Sequence, residues 1–138
     1  MQVEIIEKDF GEVKPFINQL LDEHTAQIFG EPVMEQKIAL AFIIDDEIKA
    51  AVSGTLRAQN FHVGGLGVDE QYRHQGLGSK LLVAIEEKAI AAGAKVLTVS
   101  TQCFQAPDFY KKHGYHVFGE LAGMPFAGVT KYYLSKRV

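Results

Sequence analysis

The residues best suited to chemistry lie in one run, Leu66-Gly67-Val68-Asp69-Glu70-Gln71-Tyr72-Arg73-His74-Gln75-Gly76-Leu77-Gly78-Ser79. It joins an apolar β-type segment to the start of an amphipathic helix. The first-turn N–H groups of a helix have no intrahelical acceptor and carry a partial positive charge. Gly76 and Gly78 remove side chains that would keep a ligand at a distance. N–H groups from Gln75 to Ser79 can then converge on phosphate oxygens, with the permanent cation of Arg73 beside them. A helix start packed tightly on a sheet would also use two glycines, so the anion reading needs a second signal. A P-loop would require Gly-Lys-Ser/Thr, and the chain contains no Gly-Lys pair. A dinucleotide fingerprint would require a third glycine where Leu81 stands.

The second group is Gln105-Ala106-Pro107-Asp108-Phe109-Tyr110-Lys111-Lys112-His113-Gly114-Tyr115. Pro107 suits the first turn of a short helix and Gly114 its end. Tyr110 supplies a phenol inside that helix, although adjacent aromatics near a helix end also serve as plain core.

The remaining pattern has to position these two groups. Val3 to Ile6 reads as a short opening strand, and Phe10 to about Phe29 as a helix broken by Gly30-Glu31-Pro32. Strands are expected at Ile38–Ile44, Ile48–Leu56 and Phe61–Val68, the first two joined by Asp45-Asp46-Glu47. Gly76 to Ala92 is a strong helix, with Leu77, Leu81, Leu82, Ile85, Ala89 and Ala92 on one face at a period of 3.6. Lys95–Thr101 is a buried-type strand. Strand, helix and strand from Phe61 to Thr101 form a βαβ unit, so its two strands should be parallel. Tyr115–Glu120 and Thr130–Ser135 close an α/β domain built on one mixed sheet.

Arg73-x-x-Gly76-x-Gly78 after Val68-Asp69 resembles the R/Q-x-x-G-x-G/A signature of the GCN5-related N-acetyltransferase (GNAT) superfamily. The run Phe109-Tyr110 to Gly114-Tyr115 is similar to the late segment of its small bacterial members. The resemblance spans roughly residues 36–136. It implies a single N-acetyltransferase domain over 1–138. The fold implied is a mixed, mostly antiparallel sheet with a central splayed parallel strand pair, flanked by helices. It also implies acetyl-CoA as co-substrate. The pantetheine arm would pair with Leu66, Gly67 and Val68. The pyrophosphate would lie on Arg73, His74, Gln75, Gly76, Leu77, Gly78 and Ser79. Tyr110 would be the catalytic residue, facing the leaving thiolate. Full proton transfer from a phenol (pKa about 10) to a thiolate (about 8.5) is uphill by about 2 kcal/mol, so hydrogen-bond donation is the expected role.

The chain departs from the family at Cys103, where an asparagine is common; Gln102 or Gln105 is the expected substitute for the contact to the cofactor arm. Cys103 itself is expected to be small and buried, not a nucleophile. The strand Phe61–Val68 carries no acid, which leaves His62 or an acid of residues 1–47, acting through water, as terminal base. Gly123–Gly128 is expected to loop over the acceptor pocket.

Charge bears on the acceptor. Residues 1–47 hold eleven acids against three bases, a net of −8, and residues 48–138 a net of +5. In the family the early helices line one side of the acceptor cleft. A small-molecule amine, cationic or lysine-like, is therefore the expected partner. A catalytically silent acyl-CoA-binding module is the alternative. With a pI of 5.9 and no basic stripe, no nucleic acid is expected. No apolar run is long enough to span a bilayer, the single cysteine suggests no disulfide, and histidine spacing suggests no metal. A cytoplasmic location follows as an expectation, with a homodimer left open.

Overall fold

The computed structural model describes all 138 residues, which divide into two compact units, residues 1–34 and 35–138. In the first unit, residues 1–9 carry no regular structure. The strand expected at Val3–Ile6 does not form. A strand exists only as part of a ladder, and no strand pairs with these residues. Helix α1 runs Phe10–Phe29 and stops at Gly30, whose φ of 80° places it in the left-handed region and whose N–H reaches Ala26 O at 2.8 Å.

The second unit is a six-stranded sheet with helices in its crossovers. Its elements are β1 (Glu35–Ile44), β2 (Glu47–Arg57), β3 (Asn60–Val68), α2 (Leu77–Ala91), β4 (Val96–Gln102), α3 (Pro107–Lys112), β5 (His116–Ala122) and β6 (Thr130–Arg137). The strand order is β1-β2-β3-β4-β6-β5. β1, β2 and β3 form an antiparallel meander. The Asp45-Asp46 turn between β1 and β2 has φ of 52° and 65°, the two left-handed residues of a tight hairpin turn, a conformation aspartate tolerates. β6 is antiparallel to both β4 and β5. The β3–β4 pair alone is parallel, as the intervening helix α2 requires.

The core forms where α2 lies across β1, β2 and β3. Leu82 and Ile85 of α2, Phe61 of β3, Leu97 of β4 and Leu134 of β6 are fully buried there. Each such side chain contributes about 1.5–3 kcal/mol by leaving water. Three details differ from the helical-wheel reading. Gly76 is the N-cap of α2, with φ 78°, and Ala92 is exposed beyond its end. Glu86, next to the apolar face, is buried with it.

The register also shows where the sheet opens. Asn60, Phe61, His62 and Val63 pair with Val96, Leu97, Thr98 and Val99, and there the parallel ladder stops. β3 runs five residues further and β4 three. On the β2 side, Ser53 pairs with Gly65 and Gly54 with Val63, so Gly64 is an extra residue, a β-bulge. A bulge bends its strand and sharpens its twist. The parallel ladder therefore ends at the residue before the bulge, and β3 and β4 diverge.

Candidate functional site

The divergence opens a cleft of about 1060 Å³. One wall is the end of β3, Val63 to Val68. The loop Tyr72–His74 and the first turn of α2, Gly76 to Ser79, form a second. The third is Val99–Thr101 of β4 with Phe104, Gln105, Ala106, Phe109, Tyr110 and Lys112. In a strand, alternate residues send their N–H and C=O to opposite edges. β3 retains its β2 neighbour to Val68 but has no β4 neighbour after Val63. Every second residue from Gly64 to Val68 therefore turns its N–H and C=O away from β2 with no β4 partner, and of these groups Val68 O is taken by Arg73.

The start of α2 is built to hold an anion. Its N-cap, Gly76, offers no side chain, and its first turn holds no acid. The first intrahelical bond of this end runs from Lys80 N to Gly76 O at 3.1 Å. The N–H groups of Leu77, Gly78 and Ser79 are thus without helical acceptors. His74 and Gly76 are both left-handed, with φ of 63° and 78°. Left-handed residues alternating in a loop turn successive N–H groups to one side, the concavity that binds phosphates. A non-glycine residue in that region costs about 1 kcal/mol, which His74 sustains.

The side chains around this cradle are committed in specific ways. Arg73 donates Nε–H to Val68 O at 3.1 Å, which pins the guanidinium at the end of β3 and leaves its two terminal nitrogens for a ligand. Ser79 Oγ is 3.0 Å from His113 Nε2, so this hydroxyl is engaged and Ser79 offers the cleft its N–H. A Cβ at Gly78 would meet Leu66 Cδ2 at 3.5 Å and Phe109 Cε1 at 3.6 Å. Both are ordinary van der Waals distances, so packing alone does not require a glycine there.

Tyr110 stands on α3, is 6% exposed and lines the cleft. Its hydroxyl has no hydrogen-bond partner within the protein and is not sealed from the cleft. Burial raises its pKa above the usual phenol value of 10.0. The group is a neutral donor at physiological pH. An unpartnered, protonated phenol facing a cleft can donate a hydrogen bond to a ligand there.

Of the positions expected at the cofactor, Leu66, Gly67, Val68, Arg73, His74, Gly76, Leu77, Gly78, Ser79 and Tyr110 all line the cleft, and Gln75 does not. Between the two glutamines, Gln105 lines the cleft and Gln102 does not. Gln105 Oε1 accepts from Gln102 N at 3.0 Å and from Thr101 Oγ1 at 3.3 Å. That fixes its amide, so the two Nε2 protons are the end left for a ligand. His62 lies outside the cleft. Its Nδ1 is 2.9 Å from Thr98 Oγ1, which also accepts from Asn60 Nδ2 at 3.2 Å. No Asp or Glu lines the cleft. Cys103 is exposed, not buried, because it sits in the β4–α3 turn where its N–H reaches Thr130 O at 2.9 Å. The residues Gly123–Gly128 do not line the cleft.

Sequence reading missed Tyr72, Phe104 and Lys112, all lining residues. Phe104 is 65% exposed. Nothing in the sequence separates it from a core aromatic. Lys112 sits two places after Tyr110 and was legible only as a helix-end cation.

No helix is long and apolar enough to cross a membrane. Residues 8–126 match the family profile described as Acetyltransferase (GNAT) domain. Blasticidin-S acetyltransferase of Streptomyces morookaense is 34% identical over 93 residues, 67% of this chain and 68% of that protein. The crystal structure of an acetyltransferase from Bacillus cereus ATCC 14579 aligns with a TM-score of 0.88 at 30% identity, covering 99% of this chain and 98% of that one. A crystal structure from Agrobacterium tumefaciens shares the fold, with a TM-score of 0.83, 24% identity and full coverage of both chains.

Proposed function

The chain belongs to the acetyltransferase (GNAT) domain family, and from that premise we propose that it binds acetyl-CoA in the cleft and transfers the acetyl group directly to a small, cationic primary amine. The observation that carries this reading is the parallel ladder ending at Val63 and Val99, with an uncapped helix start at one end of the gap and an unpartnered phenol in it. An extended ligand with amides along its length and a pyrophosphate at one end fits that gap. The amides match the free edge of β3, and the pyrophosphate matches the N–H groups of Leu77–Ser79 with Arg73. The amide protons of Gln105 suit a carbonyl of the same arm, a role for which Cys103, standing at the usual asparagine position, has no amide.

Bound acetyl-CoA supplies an acyl group on a sulfur that can leave as thiolate. The protein's part is to hold it and to meet developing negative charge. Tyr110 donates a hydrogen bond at that point, in a site where burial keeps the donor protonated. An alkylamine must lose a proton, at a cost of about 4 kcal/mol near pH 7.5. With no carboxylate lining the cleft, that proton leaves through water. The acid excess of residues 1–47 favours a cationic acceptor.

The deciding experiment measures thiol release from acetyl-CoA with polyamines, aminoglycosides, lysine peptides and acidic amino acids. Release with the cationic amines supports the proposal. A preference for glutamate or aspartate overturns the acceptor class. Tight acetyl-CoA binding without release on any amine makes the chain a silent acyl-CoA-binding module.

A further inference from the structure

The short helix that carries Tyr110 is not self-supporting. α3 has six residues, too few for an isolated helix to persist, and its N-cap, Ala106, makes no side-chain cap bond. Besides the His113–Ser79 contact, what holds it is its exit. Gly114, at φ 90°, reverses the chain so that Gly114 N reaches Lys111 O at 3.0 Å and Tyr115 N reaches Tyr110 O at 3.1 Å. This pair of bonds is the Schellman closure, which brings the residue after the glycine back against the last turn. Here it brings the Tyr115 ring edge-on to the Tyr110 ring, with centroids 5.6 Å apart.

Tyr115 is itself anchored. It is 2% exposed, and its hydroxyl donates to Glu86 Oε2 at 2.7 Å. Glu86, a 6% exposed carboxylate on α2, is held from the other side by Lys136 Nζ of β6, at 3.2 Å from Oε1 and 3.4 Å from Oε2. The Lys136 ammonium also sits 5.6 Å from the centre of the Tyr115 ring. A buried carboxylate with a charged and a neutral donor is a costly arrangement that nothing in plain core packing requires. Its neighbours on α2, Leu82, Ile85 and Ala89, are apolar.

We propose that Glu86, Tyr115 and Lys136 form a positioning network that ties α2 and β6 to the ring of Tyr110 and so fixes where its hydroxyl meets the leaving sulfur. The proposal rests on Tyr110 being the donor in the acetyl transfer. None of the three residues lines the cleft, so they act through Tyr110 and not on the substrate. Burial and the Glu86 acceptor both raise the Tyr115 pKa, which keeps the linking proton in place across the working range.

The test is a double-mutant cycle on thiol release. Tyr115→Phe should lower kcat by about tenfold while KM for acetyl-CoA and the calorimetric affinity for CoA stay within about twofold. In a Tyr110→Phe background the same Tyr115→Phe change should cost nothing further. Glu86→Gln keeps an acceptor oxygen and should retain most of the turnover that Glu86→Leu loses; that pair carries the test if Tyr115→Phe does not fold. Equal losses from Tyr115→Phe in both backgrounds, or a fall in CoA affinity that accounts for the loss, overturns the positioning role and leaves Tyr110 as donor. Parent-like turnover of Tyr110→Phe removes both the donor reading and the proposal.

Discussion

Tyr110 combines near-complete burial with a hydroxyl that no protein group uses, and that combination sets its expected behaviour. Tyr110→Phe should keep CoA affinity and lower turnover by about 10–10³-fold, read from single-turnover thiol release. The pH profile follows from the direction of its shift. A phenol acts as donor below its pKa and loses that capacity as pH rises through it. Burial has moved that pKa above 10.0, so activity should climb with pH as the acceptor amine deprotonates and should not fall until beyond pH 10. A falling limb between pH 8 and 9 would assign the donor to another group. At this scale the sequence was a good guide to which residues near a helix end line the cleft. Arg73, Gly76 and Tyr110 could be placed from their spacing to a helix end. It was a poor guide to the surroundings of Cys103, which is exposed, and of Gln75 and His62, which lie outside the cleft lining, because those depend on which way a loop or strand faces. It said nothing of Glu86, whose two partners lie 29 and 50 residues away.

Among the elements, the bulge in β3 sets the site, and the residue paired with its last regular position is a crowded glycine, Gly54. A Cβ on Gly54 would come within 2.4 Å of Phe61 Cζ and 2.6 Å of His62 O. The ring could shift only by leaving the core, and the carbonyl belongs to the β3 backbone. Gly54→Ala should therefore destabilise the protein by about 3 kcal/mol, seen as a fall of roughly 10 °C in Tm. Gly65→Ala is the contrast, since its Cβ would meet nothing within 4 Å, and its Tm should stay near the parent value. Equal effects of the two changes would remove the crowding argument. The meander, the βαβ unit and α2 were legible because each has a strong period and clear breakers. The bulge was not, because Gly64-Gly65 reads in sequence as flexibility and only the register with β2 shows an extra residue. Val3–Ile6 failed for the converse reason: it has β-branched composition and no partner strand.

Over the whole molecule, the charge division supplies a measurable consequence. Residues 1–47 carry −8 and the rest +5. If a cationic acceptor is drawn by that excess, KM for it should rise with salt, because exposed charges are screened within about 8 Å at physiological ionic strength. A polyamine KM unchanged between about 50 and 500 mM salt would detach acceptor choice from net charge. This property was fully legible, since net charge needs no coordinates. The division into residues 1–34 and 35–138 was not, because helix composition does not reveal what a helix packs against.

The parallel ladder of four residue pairs has a mechanical meaning as well as a chemical one. It is the seam between two half-sheets, β1-β2-β3 and β4-β6-β5, and at the open end nothing stitches them. A ligand that hydrogen-bonds along β3 takes the place of the missing strand and stiffens the seam. Hydrogen exchange should report this directly: the amides between Gly64 and Val68 that face the cleft should slow on adding CoA, while their neighbours bonded to β2 and those of Leu97 to Val99, already laddered, should barely change. The cofactor would then be, for the time it is bound, a seventh strand of the sheet.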